Sequence, residues 1–144
     1  MNTRDIQNVL DSVVPHVFEG MYFMFPEVIR EDLQPPMPTL CFRASVAIQN
    51  SPFKVVVYGS EKLVQDMAAA LLGEGQGVTE KDLKDIFKEA ANLIGGNLVT
   101  SLAFDKDLVL DVPEVEVLDS PADSDTEPGT VFDVDGEFLK VAVL

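Results

Sequence analysis

The sequence predicts an α/β (α+β) fold, with long helices packed on one face of a largely antiparallel sheet. Three observations lead there. Apolar residues recur at helical spacing in three segments and in short alternating or β-branched runs in five others. The runs are joined in pairs by turn sequences, Asn50-Ser51-Pro52 and Asp135-Gly136, which favour antiparallel hairpins. The order is helix–strand–strand–helix, then helix–strand–strand–strand, so the two halves loosely echo each other and the helices gather on one side.

Each element has its own grounds. Asn2 or Thr3 caps a first helix, in which Ile6, Val9, Leu10, Val13, Val14 and Val17 recur at helical spacing. The pattern continues to about Phe25, with Pro15 predicting a kink or break. Core packing is the preferred reading of Met21 to Phe25. A Pro-rich connector, QPPMP, follows at 34–38. TLCFRASVAIQ (39–49) and FKVVVYG (53–59) read as a strand pair. Ser60 opens a second helix, SEKLVQDMAAALLG, which Gly73 closes, and GEGQG is a loop. Thr79 caps a third helix, with Glu80 and Asp82 in the first turn, where the helix dipole favours acids. This helix runs to about Phe104. VLDVPEVEVLD (109–119) is a strand whose Pro113 implies an edge or a bulge. After the acidic loop DSPADSDTEPG (119–129), TVFDVDGEFLKVAVL closes the chain as a hairpin.

Composition removes several functions. The 144 residues suit one domain, 1–144, and 47% apolar content supports a core. Cys41 is the single cysteine and His16 the single histidine, which argues against a disulfide, a His/Cys metal site and a Ser-His-Asp or Cys-His hydrolase. The net charge of −15 disfavours nucleic acid and repels anionic membranes. MNTRDIQNVL has no signal-peptide pattern and no run approaches a membrane span, so a cytoplasmic protein is expected. The acids of the 119–129 loop lack the spacing of a Ca²⁺ loop and read as solvated.

The third helix carries the chemistry. KEAANLIGGNLVT (88–100) places Asn92, Gly95 and Gly96, all poor helix residues, inside an amphipathic pattern. Against alanine they cost roughly 2–3 kcal/mol. The glycines could end or bend the helix. The apolar phase favours continuation, because Leu98, Ser101 and Leu102 stay in register beyond them. On a wheel, Leu83, Ile86, Phe87, Ala90, Ile94, Leu98 and Ser101 form the core face. Asp85, Glu89, Asn92, Gly96 and Val99 face the other way, with Glu89 and Asn92 side by side at i and i+3.

EAANLIGG is similar to the E-x-x-N-x-x-x-G helix motif of the CheC/CheX/FliY chemotaxis phosphatases. SEKLVQDMAAALLG resembles the helix before that motif, and VLDVPEVEV the proline-containing strand after it, so the likeness covers about residues 50 to 118. CheC-like chains carry a second E-x-x-N on the first helix. Here Glu19 is followed at i+3 by Tyr22, so the chain resembles the single-site, CheX-like type.

The resemblance implies a phosphatase for the aspartyl-phosphate of a CheY-type response regulator. Asn92 would orient the attacking water, since an amide both donates and accepts hydrogen bonds without acting as a base. Glu89 would anchor a lysine of the regulator. Gly95 and Gly96 would let the partner's loops approach. No intrinsic cofactor is expected, with Mg²⁺ carried by the partner. A homodimer joined at sheet edges is also implied. The alternatives are a non-catalytic regulator-binding module of the same fold and a small-molecule-binding α/β domain. Intact Glu89 and Asn92 favour the phosphatase.

Overall fold

Asn2 starts the first helix by accepting a hydrogen bond from Asp5 N at 2.9 Å, which satisfies one of the free N–H groups of the first turn. In the computed structural model, which describes residues 2–29, 40–75, 77–102, 108–119 and 128–144, this helix, α1, spans Thr3–Tyr22. It runs unbroken through Pro15, so the expected break does not occur. It ends earlier than the sequence suggests, because Phe23 adopts a left-handed conformation at φ 55° and its N–H bonds back to Phe18 O. Of the stretch expected in the core, Tyr22 and Met24 are buried, whereas Met21, Phe23 and Phe25 are exposed. Helix α1 stops at the left-handed Phe23, so burial beyond it no longer follows the helical period.

A strand that periodicity did not reveal follows, β1 (Glu27–Val28), only two residues long. The predicted connector at 34–38 lies outside the described residues. β2 (Cys41–Gln49) and β3 (Lys54–Ser60) form the expected hairpin, with Asn50 at φ 62° in its turn. Ser60 caps α2 (Glu61–Leu72) through a bond from Leu63 N, and Gly73, at φ 90°, terminates it. α3 spans Glu80–Leu102. Its start is held by a reciprocal cap: Thr79 N donates to Asp82 Oδ2 at 2.9 Å and Asp82 N donates to Thr79 Oγ1 at 3.2 Å.

Pro113 divides the predicted 109–119 strand into β4 (Val109–Leu110) and β5 (Glu114–Leu118), since proline has no N–H for the ladder. Most of the acidic loop, 120–127, lies outside the described residues. β6 (Thr130–Val134) and β7 (Glu137–Val143) close the chain. Asp135 and Gly136 both have positive φ, 53° and 86°, as a two-residue hairpin turn requires.

All strand pairings are antiparallel, in the order β1-β6-β7-β3-β2, with β4 and β5 both on the outer side of β2. The helices cover one face. There Phe42, Ala44, Val46 and Ile48 of β2 meet Val55 and Val57 of β3 and the inner faces of α1, α2 and α3. Gly59 has a specific task in this layer: a Cβ there would lie 2.8 Å from Cε1 of Phe87. The bare backbone lets the Phe87 ring sit directly on β3, 6.1 Å from the Phe42 ring, and this seats α3 on the sheet. Gln7 locks α1 from the other side, donating to Val141 O, Thr130 Oγ1 and Asp11 Oδ1 and accepting from Val143 N.

Candidate functional site on the third helix

Gly95 and Gly96 do not interrupt α3, which stays helical for six residues beyond Gly96. Two contacts explain why Gly95 is there. It is buried, and a Cβ on it would meet Val46 Cγ1 at 3.1 Å and Leu110 Cδ1 at 3.2 Å. Its lack of a side chain lets α3 lie close to β2 and β4. This corrects the expectation that Gly95 offers a surface to a partner: one step of 100° turns it from the outer face to the sheet. Gly96 keeps the outward position, with nothing within 4 Å of a built Cβ.

Glu89 and Asn92 share the outer face as the spacing predicts, Glu89 exposed and Asn92 half-buried. With Asp85 and Lys88 they form one wall of an open groove of about 340 Å³, and Leu110, Asp111, Val112 and Pro113 form the other. The second wall exists because Pro113 breaks the strand there, which leaves Val112 76% exposed beside the helix. The wheel is wrong at two positions. Ser101, assigned to the core face, is exposed and donates to Asn97 O, while Val99, assigned outward, packs against the core. α3 is covered on several sides, so a single inner sector describes its last turns poorly.

The polar side chains of this helix divide into spent and unspent groups. Asn97 donates its amide to Leu93 O at 2.8 Å, and Thr100 donates its hydroxyl to Gly96 O at 2.9 Å. Lys81 pairs with Asp85 and Lys84 with Glu80. Among the described residues Glu89 makes no ion pair, so the lysines that could have neutralised it are not engaged with it. The amide of Asn92 likewise has no side-chain hydrogen bond among them. A carboxylate and an amide one helical turn apart, both uncommitted, can take hold of a cation and of a water or oxyanion.

Sequence reading missed the neighbour on α1. Val17, Gly20 and Met21 of α1 line a shallow site with Leu93 and Asn97 of α3, where the two helices pack together. Tyr22 stands at the end of α1. Burial, then the Glu89 charge, push its phenol up to about 12. Tyr22 is 3% exposed, turned inward rather than presented as a second outer site.

The comparisons with known proteins bear on the fold and the family. The sequence description of the chemotaxis phosphatase CheX matches residues 44–127, more than half of the chain. No curated protein matches significantly. Among solved structures, the chemotaxis protein CheX of Vibrio vulnificus superposes with a TM-score of 0.73 at 14% identity, covering 100% of both chains. CheX of Desulfovibrio desulfuricans gives 0.72 at 16%, over 97% of this chain and 98% of that one. CheX of Borrelia burgdorferi, solved as a CheX–CheY–BeF3–Mg²⁺ complex, gives 0.61 at 14%, over 94% of each. At these identities the structures speak for the fold, helices on an antiparallel sheet, while the sequence match runs from Ala44 within β2 through β5 and takes in the whole of α3. The chain belongs to the CheX family of chemotaxis phosphatases.

Proposed function

We propose that this protein hydrolyses the aspartyl-phosphate of a CheY-type response regulator. The observation that carries the reading is the pair of uncommitted side chains, Glu89 and Asn92, on the outer face of a helix left bare at Gly96. The CheY partner of the Borrelia burgdorferi CheX supports the partner class.

Phosphoryl transfer passes through a loose transition state, so catalysis consists largely of positioning and charge stabilisation. Mg²⁺ and the phosphoryl group would arrive with the regulator. Asn92 would enter the regulator's site and hold a water in line with the phosphorus. Its amide accepts from the water and donates to the phosphoryl oxygens, so the water is aimed without being deprotonated in advance. Glu89 would pair with a lysine of the regulator and fix the angle of the helix. The open surface at Gly96 would admit the regulator's loops. A homodimer joined through a sheet edge belongs to the same proposal, as does action in the cytoplasm. A purely regulator-binding module would not need a free amide at Asn92.

The test is loss of phosphate from a phosphorylated CheY-type regulator, comparing the wild type with Asn92→Ala. A hundredfold or greater loss in the variant, with binding retained, is expected. Equal rates would overturn the mechanism.

A further inference from the structure

We propose that Val112, between β4 and β5, is a specificity-determining contact for the regulator: it receives an apolar side chain that the regulator carries beside the lysine held by Glu89. This deepens the phosphatase reading and rests on its placing of the regulator on α3.

A change of register puts the valine there. β4 and β5 both pair with β2, but Leu110 faces Ile48 while Glu114 faces Ser45, so four steps on one side span three on the other. One residue is in excess, which is the condition of a β-bulge, a device that re-aims a side chain. Pro113 suits the place, because its ring restricts the backbone and it has no N–H for the ladder. Val112 sits within this excess and is 76% exposed. Its footing is firm. Asp111 N donates to Ala47 O at 2.9 Å, and the Asp111 carboxylate accepts from Gln49 Nε2. Leu110 lies over the bare backbone of Gly95, where a Cβ would stand 3.2 Å from its Cδ1. The segment is therefore keyed to α3 within a turn of Asn92. An apolar side chain fixed in advance loses little freedom when a partner covers it.

Val112 lines the same open groove as Glu89 and Asn92. A regulator that admits Asn92 to its own site covers this groove in the same act. The charge of the groove selects what is brought to it: Asp85, Glu89 and Asp111 line it against one base, Lys88. That balance suits a basic segment. The occupant is thus a stretch of the regulator with a cation for Glu89 and an apolar side chain for Val112. A regulator with a polar side chain at that point would leave it desolvated against Val112, Leu110 and Pro113 without a partner, and would be refused. Val112 touches no reacting atom.

The experiment compares Val112→Thr and Val112→Ile with the wild type. It measures direct binding to a CheY-type regulator loaded with Mg²⁺ and beryllofluoride, and steady-state dephosphorylation of the phosphorylated regulator. Threonine keeps the β-branched shape and puts a hydroxyl in place of a methyl. Both variants should melt at the wild-type temperature. Val112→Thr should raise Kd and KM about fivefold, with kcat within about twofold. The factor should be equal at low and high salt, because the lost contact carries no charge. Val112→Ile should bind as the wild type does. So should Leu72→Thr, which alters an exposed side chain at the end of α2, outside the groove.

An unchanged Kd in Val112→Thr would overturn the proposal, as would an equal loss in Val112→Ile or Leu72→Thr. A lowered melting temperature in Val112→Thr would assign the valine to the fold, and an altered mass in solution would assign it to a contact with a second copy of this chain. Either would overturn the proposal. If Asn92→Ala is inactive while Val112→Thr behaves as wild type, only the role of Val112 falls. If Val112→Thr weakens binding while the wild type releases no phosphate, the contact stands and the phosphatase reading falls. A wild type that does not bind the regulator overturns both.

Discussion

Gly95 and Gly96 are consecutive and serve opposite surfaces. Gly95 presses its backbone against Val46 and Leu110, while a side chain on Gly96 would enter open space. One glycine fits the helix to its own sheet, and the other leaves the outside of the helix bare.

The two positions should therefore respond differently to substitution. Gly96→Ala gains helix propensity at no steric cost and should stabilise the protein by about 1 kcal/mol. Gly95→Val must displace Val46 or Leu110 and should destabilise it by about 1–3 kcal/mol. Urea unfolding of both variants checks the signs. Gly96→Leu should also fold, yet lose affinity for the regulator in a direct binding measurement.

Glu89 is expected to act by charge. Glu89→Gln keeps the shape of the side chain and removes the anchor for a lysine. KM for the phosphorylated regulator should rise about tenfold, and its dependence on ionic strength should flatten relative to the wild type. An equal salt dependence in the two proteins would place the regulator's lysine elsewhere.

Acid should weaken the start of α3. The N–H of Thr79, then its hydroxyl, hold Asp82 below its ordinary pKa of 3.8. A carboxylate depressed in the folded state contributes stability above its unfolded pKa, and that contribution disappears as pH falls through the folded value. Asp82→Asn should therefore lose stability at neutral pH and show a flatter stability curve below about pH 4. Circular dichroism melts across that range test this.

Alkali should act through two buried groups. Burial pushes the Cys41 thiol from 9.0 up to about 11, and burial with Glu89 pushes Tyr22 from 10.0 up to about 12. Both stay protonated to higher pH in the folded chain than in the unfolded one. Folded protein then binds more protons, so stability is full below pH 9.0 and declines towards about 12. Cys41→Ala should flatten the decline between pH 9.0 and about 11, and Tyr22→Phe between pH 10.0 and about 12. The slope of stability against pH is the readout.

Much of α3 was legible in the sequence because apolar phase is a property of the chain alone. Leu83, Phe87, Ala90, Ile94 and Leu98 are buried as their spacing requires, and the same phase carried the helix past its glycines. The inward turn of Gly95 was not legible, since it depends on Leu110, fifteen residues away on a strand of two. Nor was the packing of α1 against α3, which arises only in the tertiary fold. Phe23 and Phe25 were misread for a local reason: a bulky residue in the left-handed region, Phe23, is uncommon, and no residue type announces it. β1 was too short to carry a period.

β7 occupies the middle of the sheet, between β6 and β3, yet it is the last strand of the sequence. On a ribosome, β2 and β3 would emerge as a hairpin and wait with one side of β3 unpaired. The residues from Val55 to Gly59 have their register partners in Leu139 to Val143, made eighty or more positions later. Through that interval a β-branched edge stands open to other chains. The growing chain thus stays aggregation-prone until β7 is made, and the arrival of β7 joins the two parts of the sheet in one step.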